Sequence, residues 1–158
     1  MTFRLGRIDT QSLKARKLGS FRSVLVASPA YLARCGAPGA PADLAGHDCI
    51  IDTNRRTPRR WRLGPEDAAD AVAVQGRFQV NSARAAVDLA TKGLGIAYVP
   101  RFALTKALTS GALVPLLADH AGEAGTLSAV YLEGRVLPRK VRALIDFAVE
   151  DIRVAGIL

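Results

Sequence analysis

Apolar residues along this chain fall into short blocks, and their spacing shifts between strand-like runs and helix-like stripes. "SVLVA" (Ser23 to Ala27) is an apolar run of strand length. Ser28-Pro29 follows it with an N-cap and a first helical residue, so "AYLARC" reads as a short helix that Gly36 stops. A Pro/Gly-rich loop with one turn around Ala42 to Ala45 leads to "CIID" (Cys49 to Asp52), a second buried strand. "WRL", "AVAV" (Ala71 to Val74) and "RFQV" (Arg77 to Val80) read as short strands with turn residues between them. Asn81-Ser82 then opens a helix whose Ala83, Ala86, Val87 and Ala90 sit at i, i+3, i+4, i+7, the spacing of a buried stripe. "GIAYVP" is the next strand, and a two-turn helix from Phe102 to Thr109 runs to Gly111. "ALVPLL" and "TLSAVYL" (Thr126 to Leu132) are further strands. Pro138 starts a C-terminal helix with Val141, Leu144, Ile145, Ala148 and Ile152 on one face. Strands alternating with helices predict an α/β fold with a sizeable parallel component.

The order of these elements decides what "KGLGIAYVP" (Lys92 to Pro100) is. A phosphate-binding loop runs strand, glycines, helix start, because free amides and the positive dipole end must face the anion. Here the helix comes first and the strand last. Gly93 is therefore expected as a left-handed C-cap and Gly95 as a tight entry to the sheet. The helix start open to a ligand is the one at Asn81-Ser82 instead.

Composition narrows the class. At 158 residues, 49% hydrophobic and 23% charged, the chain has the profile of one folded domain. Arg4, Arg7 and Asp9 interrupt any secretory core at the start, and no segment reaches the ~18 uncharged apolar residues of a membrane span. The expected location is the cytoplasm. The two cysteines, Cys35 and Cys49, form no C-x-x-C; joining them with His47 in a metal site would need the fold to bring distant residues together, and no metal or cofactor is expected. A formal charge of +8 suggests anionic partners, yet Lys and Arg are dispersed except at "RRTPRRW" (Arg55 to Trp61). No G-x-S-x-G elbow or paired-carboxylate motif stands out, so an enzyme is not expected.

Three stretches, "VLVASPAYLARCGAPGAPADLAGHDCI", "NSARAAVDLATKGLGIAYVP" and "VYLEGRVLPRKVRALIDFAVE", resemble the effector-binding region of LysR-type transcriptional regulators, in the same order and at similar separations. The likeness covers about Phe3 to Ile152. It implies a fold like the type 2 periplasmic solute-binding proteins, two α/β lobes with the effector in a cleft between them. On that template residues 1–17 hold the last strand of lobe one ("FRLGR") and the hinge. Residues 18–117 form lobe two, and 118–158 return to lobe one. The family's winged helix-turn-helix and the first half of lobe one have no counterpart here, and Leu132 stands where members often carry Pro. The chain is therefore expected to be a truncated sensor, with apolar residues such as Leu144 and Ile145 exposed. It would contact DNA only through the absent N-terminal domain, and would have no membrane partner; intact members are homo-oligomers.

The resemblance implies a small, anionic effector, and the candidate site residues follow from it. Asn81 and Ser82 could hold a carboxylate with side-chain oxygens and free amides, or simply cap the helix. Arg7 falls near the hinge and could pair with a carboxylate in bidentate fashion, or be an exposed arginine without a partner. Thr53 follows "CIID", and ligands of open α/β sheets collect beyond the carboxyl ends of strands. It could equally be an ordinary loop residue. Tyr98 and Pro100 end a strand at the expected cleft edge, where Tyr98 could offer its phenol or only pack. Trp61 could wall an aromatic effector or cover the core. The Arg55, Arg56, Arg59 and Arg60 cluster could track phosphates beside Trp61, or be a solvated surface. His47 matches a family position with a structural role, and His120 sits in a loop. Two other functions stay in view: a solute-binding protein for transport, and a basic nucleic-acid-binding protein acting through residues 55–61.

Overall fold

Three of the apolar runs belong to strands that are covered on both faces, the reason they read as near-continuous hydrophobic blocks rather than alternating ones. The computed structural model describes residues 2–5, 13–64, 71–120, 122–132 and 138–154. Two units divide it, one of Met1–Phe21 with Ala124–Leu158 and one of Arg22–Glu123.

In the Arg22–Glu123 unit, the second half of strand β2 (Leu13–Ala27) pairs antiparallel with β7 (Ile96–Pro100) and with β8 (Val114–Leu116). Strand β7 then pairs parallel with β3 (Cys49–Asp52), and β3 pairs parallel with β6 (Gln79–Val80). Side chains alternate across this sheet. Leu25, Cys49, Ile51, Ile96 and Tyr98 enter one buried cluster with Tyr31, Leu44 and Trp61. Val26, Ile50, Ala97 and Val99 enter the other with Ala86, Val87 and Ala90 of helix α2 (Ala83–Thr91). The predicted stripe is thus the face that packs. Helix α1 (Pro29–Cys35) starts as expected, with the Ser28 hydroxyl accepting from the Tyr31 amide at 3.2 Å, and a small hairpin of β4 (Arg60–Arg62) and β5 (Ala71–Ala73) stands apart from the main sheet. After α2, Gly93 takes φ +75° and Gly95 φ +153°, and a Cβ on Gly95 would lie 2.5 Å from the Asp48 carbonyl oxygen. The glycine pair is a helix stop followed by a close approach to β3, not an anion cradle.

The other unit contains β1 (Thr2–Leu5), the first half of β2, β9 (Ala124–Leu132) and helix α4 (Arg139–Val154). Strand β1 pairs antiparallel with β9. Leu18, Ala129 and Ile145 form the buried centre, against which Val141, Val149 and Ile152 pack.

Several expectations change. The first half of β2 was not foreseen as strand, because "LKARKLGSFR" is mostly polar and exposed. "RFQV" yields only the two-residue β6, and the Phe102 to Thr109 helix splits into a 3₁₀ turn (Arg101–Ala103) and α3 (Thr105–Thr109). On α4 the inward row is Val141, Ile145, Val149 and Ile152. Ile145 is fully buried rather than exposed, whereas Leu144 is 48% exposed and Phe147 68%. Among the described residues no helix is long and apolar enough to cross a membrane.

Candidate ligand-binding site

Parallel neighbours β3 and β6 end side by side, so the residues that follow them are brought together although they are far apart in sequence. Thr53, just past β3, donates its amide (2.8 Å) and its hydroxyl (3.1 Å) to the Val80 carbonyl at the end of β6. Asn54 donates its side-chain amide to the Asn81 carbonyl, while its own amide donates to Asp52 Oδ1 at 3.0 Å. Ser82 then caps α2 with extended backbone, but its hydroxyl makes no capping hydrogen bond. The first intrahelical bond runs from the Ala86 amide to the Ser82 carbonyl at 3.0 Å, so the amides of Ala83, Arg84 and Ala85 stand at an open helix start. Thr53, Asn54, Asn81 and Ser82 are all exposed and form a polar lip at the carboxyl ends of two parallel strands. Beside it lies a hollow of 380 Å³ lined by Ile51, Thr53, Pro58, Gln79 and the positively charged Arg59 and Arg60.

The remaining candidates occupy different positions. Tyr98 and Trp61 are each 1% exposed and pack against one another with ring centres 5.3 Å apart. Trp61 donates its indole N–H to the Pro58 carbonyl, and the Tyr98 hydroxyl donates to the Arg62 carbonyl at 2.7 Å. Burial pushes the Tyr98 phenol above its ordinary pKa, which keeps it a proton donor. Pro100 is buried opposite Ser23. Arg7 lies outside the described residues.

The arginine cluster is divided by the fold. Arg56, Arg59 and Arg60 are exposed, but the Arg55 side chain is only 13% exposed. Its guanidinium lies 4.1 Å from the centre of the Tyr98 ring and reaches Glu123 Oε2 at 2.6 Å, the Tyr98 carbonyl at 3.2 Å and the Ser23 hydroxyl at 3.3 Å. Sequence reasoning missed both Arg55 and Glu123 as paired residues. Nothing in a run of four arginines distinguishes the one that turns inward, and its partner is 68 positions away.

A larger hollow, 540 Å³, opens at the amino end of β3 among Tyr31, His47, Asp48, Gln75 and Arg77. Its inner polar groups satisfy one another. The Tyr31 hydroxyl lies 3.0 Å from His47 Nδ1 and accepts from the Asp48 amide at 3.2 Å, and Arg77 pairs with Asp48 at 3.3 Å. Desolvation raises the Tyr31 phenol to about 12, so it stays protonated while it shares a hydrogen bond with His47 Nδ1. That network gives His47 a structural role.

Comparison with known proteins agrees with this architecture. Residues 1–153 match the LysR substrate binding domain. The chain is 29% identical over 153 residues to the HTH-type transcriptional regulator CrgA of Neisseria meningitidis, covering 96% of this chain and 51% of that protein. It is 32% identical over 146 residues to the HTH-type transcriptional activator AaeR of Escherichia coli, covering 92% and 47%. The solved regulatory domain of CrgA superposes with a TM-score of 0.81 at 29% identity, over 94% of this chain and 74% of that one. The chain spans about half the length of the curated relatives it matches.

Proposed function

The chain belongs to the family of LysR substrate-binding domains, and from that premise we propose that it senses a small anionic effector at the Thr53, Asn54, Asn81 and Ser82 lip. The observation that carries this reading is the uncapped start of α2 at the joined ends of β3 and β6. Open amides there present partial positive charge and hydrogen-bond donors together, the requirement for holding a carboxylate. Arg59 and Arg60 on the adjoining hollow add the charge that draws an anion in. Arg7 is a further candidate for a bidentate contact with the same carboxylate. Trp61, Tyr98 and Pro100 would support the wall from beneath.

In this reading the bound effector shifts the population of conformations of an intact regulator, and DNA contact belongs to a separate helix-turn-helix portion. Transport and nucleic-acid binding through residues 55–61 are poorer fits. The family is one of transcriptional regulators, and one of the four arginines in that cluster is tied to Glu123 rather than offered to a phosphate backbone.

The test is amide NMR of the 158-residue chain titrated with acetate, benzoate, succinate and citrate. Shifts centred on Thr53, Asn54 and Ala83 to Ala85 are expected from at least one of them, and Asn81→Ala should weaken that response about tenfold. Uniform small shifts across the surface, with none concentrated at the lip, would end the reading.

A further inference from the structure

The loop that carries half of the lip also carries Arg55, whose side chain leaves the lip for a different set of partners. Thr53 is bonded to Val80, Asn54 to Asp52 and Asn81, and the Arg55 amide to the Asp52 carbonyl at 3.3 Å, so these three residues form one braced turn. From that turn the Arg55 side chain runs over the Tyr98 ring to Ser23 and Glu123. Ser23 and Glu123 are where the chain enters and leaves the Arg22–Glu123 unit. They are joined to each other as well, since the Ser23 amide donates to the Glu123 carbonyl at 3.0 Å. Gly122 approaches so closely that a Cβ on it would sit 1.7 Å from the Ser23 carbonyl oxygen.

We infer that Arg55 is a positioning residue that couples the lip to the paired entry and exit strands through its ion pair with Glu123. This rests on the reading of the lip as the effector site, and it assigns that site a route of regulation. The chemistry favours arginine for the task. A planar fork can contact a carboxylate, a carbonyl, a hydroxyl and an aromatic face at once, which a point charge cannot. Taking a guanidinium largely out of water is costly, and an apolar side chain would fill the same space without that cost. The return is a link sensitive to position: a shift of the braced turn by a fraction of an ångström changes four contacts together. Because coupling of this kind is reciprocal, loosening the Glu123 end must loosen the lip.

That reciprocity gives a test without any ligand, so its outcome is independent of whether an effector is found. Amide hydrogen exchange is measured by NMR on the 158-residue chain and on Glu123→Gln, Arg55→Gln, Arg55→Lys and the double variant Arg55→Gln/Glu123→Gln. Glu123 is 47% exposed, so its neutral substitution leaves the core intact. Glu123→Gln should speed exchange of the Thr53 and Asn54 amides about tenfold along with that of Ser23, while the Ile51 and Ile96 amides keep their protection. The double variant should exchange no faster than Arg55→Gln alone, the signature of one shared interaction. Arg55→Lys should fall between wild type and Arg55→Gln, because it keeps the charge but loses the fork. Acceleration confined to Ser23, additive effects in the double variant, or equal effects of Lys and Gln would each overturn the coupling. If a variant proves globally unstable, exchange at Ile51 and Ile96 reports it, and Glu123→Gln alone decides the question.

Discussion

Both ends of strand β3 carry polar side chains beside a hollow, and they finish in opposite states. At the amino end a phenol, an imidazole, a carboxylate and a guanidinium close a network on themselves around Tyr31, His47, Asp48 and Arg77. At the carboxyl end Thr53 and Asn54 use their bonds to join two strand ends, and leave the Ser82 hydroxyl and the first amides of α2 without capping partners. The amino end has the larger hollow and the carboxyl end has the open helix amides, with Arg59 lining both hollows. Concavity alone is a poor guide to a ligand site. What matters is whether the polar groups facing it are already satisfied.

If the amino end is the structural one, substitutions there should cost the most stability. Gly76 lies against the start of β3, where an added Cβ would meet the Cys49 carbonyl oxygen at 1.7 Å. The Gln75 carbonyl is bonded to the Cys49 amide at 2.8 Å, so the backbone cannot simply move aside. Gly76→Ala should therefore destabilise by about 3 kcal/mol in urea unfolding. A loss below about 1 kcal/mol would mean that this end is as yielding as the lip, and the contrast would fail.

The same end should also carry an alkaline signature. Folding raises the Tyr31 phenol from 10.0 to about 12, and burial raises the Cys49 thiol from 9.0 to about 12. Both are neutral when protonated, so the folded chain holds these protons more tightly than the unfolded one. Their contribution is fully present below the unfolded pKa values and is lost as pH climbs from about 9 through about 12. Tyr31→Phe should cost about 1–2 kcal/mol near neutrality, by freeing His47 and the Asp48 amide, and should flatten part of that alkaline decline. Asn81→Ala, at the other end, should leave the decline unchanged. Unfolding curves from about pH 8 to about pH 11 separate the two cases.

How much of this was legible beforehand varies with the range of the interaction. Local signals read well: Ser28-Pro29 before α1, Gly93 after α2 and the Ala83, Ala86, Val87, Ala90 stripe each act within a few residues of chain. The lip was half legible, since Asn81 and Ser82 announce a helix start and Thr53 follows a buried strand, but nothing in the sequence says that the two places meet or that Asn54 joins them. That meeting depends on β3 pairing in parallel with β6. Arg55 was not legible, because its environment is assembled from Ser23, Tyr98 and Glu123, which lie on three other segments. The polar half of β2 hid for a related reason. Strand character there comes mostly from pairing, with Leu18 the buried side chain of that stretch.

The finest test of the comparison sets one N-cap against another. Ser28 and Ser82 both precede a helix, and sequence rules treat them alike. In the fold they differ: the Ser28 hydroxyl is buried and accepts from the Tyr31 amide, whereas the exposed Ser82 hydroxyl makes no capping bond. Ser28→Ala should therefore cost about 1 kcal/mol, the usual value for losing an N-cap, and Ser82→Ala no more than a few tenths. The reverse pattern would show that Ser82 serves the helix rather than a ligand. Equal small losses would show that Ser28 is replaceable by water at its amide, which its burial argues against. If Ser82→Ala is silent in unfolding yet weakens the carboxylate response at Ala83 to Ala85, then the two serines have opposite tasks: Ser28 accepts from an amide of its own helix, and Ser82 donates its hydroxyl to a bound carboxylate.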